Sequence, residues 1–193
     1  MKKSLLIGLL VFSLVALLVV GGTMAWFTDE KTVDNKFTAG TVKIEVNEHE
    51  FVDIENWNPG DTTNKDVSVK STGSKDTYVR VNLAPVWGEI GENGFVPKDL
   101  SIDNVTLNIA NNNKWVKSGE WYYYTEILNN EETELLLDSV TLAGQGTSND
   151  YQGMTLRVNV KAEAVQASYE AYKDAWNITS LPAGVEVWSS TTP

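Results

Sequence analysis

Few residues in this chain are suited to acid–base or metal chemistry. His49-Glu50 starts like the zinc-protease pattern His-Glu-x-x-His, yet the fifth position is Asp53. That pattern works because two imidazoles four residues apart share one helical face around the metal. His49 is the chain's single histidine, and its neighbours read as strand and loop, so it reads as an exposed loop histidine. A Ser-His-Asp mechanism would have only this one base, and no serine sits in a Gly-x-Ser-x-Gly elbow. The chain has no cysteine, which excludes a thiol nucleophile, a disulfide scaffold, thiolate-bound zinc and iron–sulfur centres. Its 26 acidic residues offer many carboxylate pairs, but glycoside cleavage depends on a separation that a sequence does not encode. Solvation of the surface is their plainer role. Asn149-Asp150 and Asn129-Asn130-Glu131-Glu132 carry oxygen donors of the kind calcium takes, without the twelve-residue EF-hand spacing. No catalytic residue, metal site or cofactor is assigned, and the chain reads as a non-enzyme.

Trp121-Tyr122-Tyr123-Tyr124 is the most aromatic stretch. In a strand, Trp121 and Tyr123 face one side and Tyr122 and Tyr124 the other. One pair is expected in the core and the other on a surface, as a cross-strand pair or as a platform for a sugar ring.

The elements that must position these residues read as strands. Apolar and polar residues alternate around Val42, Ile44 and Val46, around Val67 and Val69, and around Val79, Val81 and Leu83. The same period recurs at Val105, Leu107 and Ile109, and at Leu156, Val158 and Val160. Such alternation gives each strand one buried and one wet face, as in antiparallel sheets. Asn58-Pro59-Gly60-Asp61 places Pro and Gly where a type II turn needs them. Ser71 to Ser74, Asn111 to Asn113 and Gly144 to Thr147 read as further loops. Val165, Tyr169, Tyr172 and Trp176, spaced by four, three and four, predict a helix over 163–176 packed on the sheets. Many short strands separated by loops predict an all-β sandwich, with one domain over 39–193.

The 193 residues carry a formal net charge of −11. A chain this acidic is repelled by phosphate backbones, so nucleic acid is excluded as a partner. Lys2-Lys3, an uncharged apolar run from Leu5 to Val20, and Gly21-Gly22-Thr23-Met24-Ala25 match the layout of a secretory signal over 1–25. The apolar run is short for a membrane span: sixteen helical residues cover only ~24 Å against ~30 Å of hydrocarbon. Thr23 and Ala25 supply the small residues of a cut between Ala25 and Trp26; the competing reading, from the uncharged stretch Ser4 to Thr28, is an uncleaved anchor. Of the 15 basic residues the leader takes Lys2 and Lys3, leaving 13 against 26 acids, or −13.

After the cut, residues 26–38 form an arm that opens on Trp26-Phe27 and continues with Val33 and Phe37. Fully burying a Phe-sized side chain is worth about 1.5–3 kcal/mol, so these four residues have reason to dock. They can dock on their own domain, or add a strand to a neighbour's sheet. Head-to-tail addition does not close and so produces filaments.

Gly21 to Ala25 followed by Trp26-Phe27-Thr28-Asp29, and Asn35-Lys36-Phe37-Thr38-Ala39-Gly40-Thr41-Val42, resemble the TasA/camelysin family of secreted Gram-positive proteins. Trp57 to Asp61, Val67 to Lys70 with Thr72-Gly73-Ser74, and Tyr78-Val79-Arg80-Val81 resemble its next block, with Ser71 in place of an expected Asn. Ala164-Val165-Gln166-Ala167 through Trp176 is similar to its closing segment. The resemblance implies a jelly-roll-type sandwich with flanking helices, one near the C-terminus. It implies cleavage by a dedicated signal peptidase, export to the extracellular matrix or cell surface, and self-association head to tail into biofilm-matrix fibres. Trp26 to Phe37 would then be the donor strand, with an accessory matrix or anchor protein as a further partner. The family's classification as metallopeptidases does not transfer to a pentad lacking its second histidine. Leu181-Pro182-Ala183-Gly184 is not a sortase signal, because Leu-Pro-x-Thr-Gly is incomplete. The reading is a structural fibre subunit. Its alternatives are a carbohydrate-binding or adhesive surface module and a camelysin-like metallopeptidase.

Overall fold

The computed structural model describes residues 28–31 (backbone only), 42–48, 58–144 and 147–189. Ten strands follow one another: β1 (Thr28–Lys31), β2 (Ile44–Asn47), β3 (Thr62–Ser71), β4 (Thr77–Gly91), β5 (Gly94–Pro97), β6 (Val105–Ile109), β7 (Trp115–Ser118), β8 (Trp121–Tyr124), β9 (Leu137–Leu142) and β10 (Thr155–Gln166). They form two sheets. One runs β1-β10-β4-β8-β7 with β5 paired to β4; the other runs β2-β3-β9-β6. Every pairing is antiparallel. The described residues are therefore an all-β sandwich, as the alternation predicts.

Each alternating segment contributes its apolar face to the core. Ile44, Val67, Val69, Leu137, Val140 and Leu142 from the second sheet meet Val79, Val81, Trp87, Tyr124, Leu156, Val158 and Val160 from the first. Asn58-Pro59-Gly60-Asp61 forms the expected turn: the Asp61 N–H donates to the Asn58 carbonyl at 3.0 Å, and Gly60 takes φ 100°. On β3 the register shifts between Asn64 and Val67. Lys65, inside that irregularity, is 1% exposed, and its ammonium group lies 3.3 Å from Glu48 Oε2.

The C-terminal helix is shorter than its spacing predicts. β10 continues as a strand to Gln166, with Val165 in register with Tyr78 of β4. A 3-10 turn at Ser168–Glu170 follows, and the α-helix α1 covers only Tyr172–Trp176. The helix cannot extend back through Tyr169 (φ 58°, ψ 28°) and Glu170 (φ 52°), because both are left-handed. Such conformations cost about 1–3 kcal/mol each for residues with side chains. Tyr172 and Trp176, four apart, do share the buried face, whereas Tyr169 points to solvent.

Between the sheets, the buried Tyr124 hydroxyl donates to Glu134, and Lys114 pairs with Glu126 beside it. Burial, and then the hydrogen bond to Glu134, raise the Tyr124 phenol above its ordinary value. That hydrogen bond chiefly holds Glu134 below the usual carboxylate value of 4.5. A lowered folded-state value means that Glu134 stabilises the fold above pH ~4.5 and loses this contribution as pH falls through the lowered value. Urea midpoints measured against pH should therefore fall less steeply in acid for Tyr124→Phe than for the parent. Leu137 is 0% exposed at the centre of the core, so Leu137→Ala should cost about 2–5 kcal/mol in urea unfolding.

Candidate assembly edge

Strand β10 is the hinge between core and surface. Its twelve residues pair with β4 along their whole length, from Thr155 opposite Gly88 to Gln166 opposite Thr77. Among the described residues, its other edge is paired only by β1: Thr28 with Val165, Asp29 with Ala164, Glu30 with Glu163 and Lys31 with Ala162. The side chains of Leu156, Val158, Val160, Ala162 and Ala164 point into the sandwich and are buried. Sheet edges present rows of backbone donors and acceptors to any added strand. This edge takes a strand from the arm, four residues long and at one end of β10.

The opposite face of the same sheet is not wet. Tyr78, Tyr123 and Val165 are covered by Ala167, Ala171, Tyr172, Trp176 and Val185, so the chain after β10 lies across β4 and β8. The Tyr78 hydroxyl accepts the Trp188 backbone N–H at 2.7 Å, and the Glu186 N–H donates to the Thr125 carbonyl at 2.7 Å. Two rings brace α1 edge-on: Tyr172 against Tyr78 with centroids 5.9 Å apart, and Trp176 against Tyr123 at 5.8 Å.

Under this strap lies a buried charge cluster. Arg80 of β4 donates from Nε at 2.8 Å and from a terminal nitrogen at 2.6 Å to Glu163 Oε2 on β10. Its guanidinium carbon sits 4.1 Å from the Trp121 ring centroid and 4.6 Å from that of Trp176. Its remaining terminal nitrogen reaches the Tyr123 hydroxyl at 3.3 Å, while Lys161 meets the other Glu163 oxygen at 3.0 Å. Guanidinium is planar and weakly hydrated, so it tolerates stacking between indoles where an ammonium does not. The cluster locks β4, β8, β10 and α1 together, directly behind the β10 residues that carry β1.

The sequence-predicted site residues divide between visible and hidden positions. Ala25 and Trp26 at the cut, and Trp26, Phe27, Val33 and Phe37 of the arm, lie outside the described residues, as does His49. The expectation that one aromatic pair of β8 lies on a surface is corrected. Tyr124 is buried in the inner core and Tyr123 under the C-terminal strap, with Trp121 and Tyr122 half-buried. The cause is that strap, which turns the second face of the sheet into an interior. The carboxylates weighed for calcium have protein partners: Asp150 accepts from Ser148, and Glu132 from Asn47 and Ser68. Arg80 and Glu163 escape a reading of the sequence, because one sits on the polar side of an alternating strand and the other in an apparent helix. The signal for them is a lone Arg among aromatic residues.

The camelysin metallo-endopeptidase family matches residues 1–87. The chain is 34% identical over 111 residues to a protein of Bacillus subtilis (strain 168) described as a major biofilm matrix component. That match covers 55% of this chain, and the chain spans 42% of the relative's length. No solved structure matches. The likeness to the TasA/camelysin family read from the sequence is thus shown in these two comparisons. Among the described residues no group of three or more His, Asp or Glu is placed to hold a metal ion, and the chain's single histidine, His49, lies outside them.

Removing one partner of a buried ion pair strands the other's charge at a cost of about 3–5 kcal/mol. Arg80→Ala should lose stability on that scale in chemical unfolding. The double variant Arg80→Met, Glu163→Leu should recover most of the loss.

Proposed function

We propose that this chain, similar over its N-terminal half to the camelysin family, is a structural subunit of an extracellular matrix fibre and not an enzyme. In this reading the leader 1–25 is removed between Ala25 and Trp26 by a signal peptidase. The arm 26–38 then leaves its own sheet and adds to the sheet of the next copy, and residues 39–193 are the single domain that carries it.

The observation that carries the proposal is the pairing of β1 with β10. The arm already makes the strand-to-edge contact that head-to-tail assembly needs, in antiparallel register over four residues. Ten residues, 32–41, separate β1 from Val42, and such a length spans at most about 36 Å when extended. That reach lets a neighbour's arm replace the chain's own with the same contacts, so exchange changes connectivity but not chemistry. A four-residue strand at a sheet edge gives little binding of its own, which suits an exchangeable element. The matrix role also has the support of the similar Bacillus subtilis protein, described as a major biofilm matrix component.

Deleting residues 26–37 from the processed protein should leave soluble monomer under conditions where the parent forms filaments, judged by electron microscopy. Asp29→Pro with Glu30→Pro, at adjacent residues of which one points its N–H at β10, should act in the same direction while leaving the sandwich intact by circular dichroism. Normal filaments from both variants would refute arm donation.

A further inference from the structure

We infer that Tyr169 and Trp188 form a receiving clasp for Trp26 at the head of a second copy's arm. The inference rests on the arm-donation reading and adds the place where the arm's leading indole goes.

An exposed ring stands just past the end of β10: Tyr169 is 77% exposed. The Trp188 ring lies 6.2 Å from that of Tyr169, tilted by 37°. Trp188 is held from below: its backbone N–H donates to the Tyr78 hydroxyl at 2.7 Å and its indole N–H to Asp76 Oδ2 at 3.2 Å. Tyr169 is presented by its left-handed backbone, followed by a second left-handed residue, Glu170. A tyrosine placed outward at that conformational cost gains nothing from the core beneath it.

The β1–β10 register supplies the occupant. Thr28 stands opposite Val165. Residues directly opposite in an antiparallel pair share a face, so Thr28 stands on the face of Val165, in the outer cluster against which Trp188 also packs. β10 ends at Gln166, and the chain turns at Ala167, which is helical (φ −73°, ψ −29°). An incoming arm that stays extended for two more residues carries Trp26 past that end on the same face as Thr28, the side of Trp188 and Tyr169. The arm residue that arrives on this face, Trp26, is itself a large aromatic. An aromatic contact of this kind is worth about a two- to tenfold change in an association constant.

The test uses the whole processed chain with photoreactive benzoyl-phenylalanine in place of Tyr169, co-assembled as a minority component with unmodified, nitrogen-15-labelled protein. Irradiated fibres should yield cross-linked peptides containing heavy Trp26–Phe27. Cross-links confined to other segments, or to the light chain's own arm, would overturn the clasp and leave arm donation standing. In parallel, Tyr169→Ala should raise the critical concentration for fibres by about two- to tenfold with an unchanged monomer melting curve. An unaltered critical concentration would overturn the inference. Filaments that persist after removal of residues 26–37 would instead defeat the underlying reading, whatever the cross-links show.

Discussion

Backbone hydrogen bonding along β10 is the constraint on which the rest of the structure depends. Peptide groups withdrawn from water must find partners, and a central strand needs them on both sides. β4 satisfies one side over twelve residues, and β1 takes the other at Ala162 to Val165. The inward side chains of the same strand are buried core residues, so β10 cannot move away from the sandwich to evade the requirement. The strand that pairs this edge at Ala162 to Val165 comes from residues 28–31.

The rigidity behind that edge comes from the outer face. Arg80 and Glu163 form a buried pair across β4 and β10, and the indoles of Trp121 and Trp176 enclose the guanidinium. A buried ion pair adds little net stability against apolar residues of equal size, but it penalises any register in which the partners miss each other. Glu163 is also the β10 residue opposite Glu30, so the cluster fixes the segment that the arm reads. The strap from Ala167 to Trp188 closes over this cluster, and Tyr169 near its start stays exposed.

Much of this was legible in the sequence. Alternation at Val67–Val69, Val79–Leu83 and Leu156–Val160 located strands because each has one face in a core, and Pro59-Gly60 located a turn because φ is fixed there. The C-terminal segment misled for a definable reason. Val165, Tyr169, Tyr172 and Trp176 keep helical spacing, but their burial comes from three different elements: a strand, a left-handed turn and a short helix. The strap was invisible as well, because period-two alternation reports one buried face and cannot reveal that a distant segment covers the other. For the site, sequence named the arm and its aromatics; the β10 edge beside it is seen only in the pairing of Thr28–Lys31 with Ala162–Val165.

The central claim is that this edge accepts an arm in exchange for its own. A synthetic peptide of residues 26–38, added in excess to the processed protein, measures that exchange directly. Exchange requires the peptide to cap growing ends, shorten fibres with rising dose and protect β10 amides from hydrogen exchange. Unchanged fibre length and unchanged β10 protection at saturating peptide would contradict it.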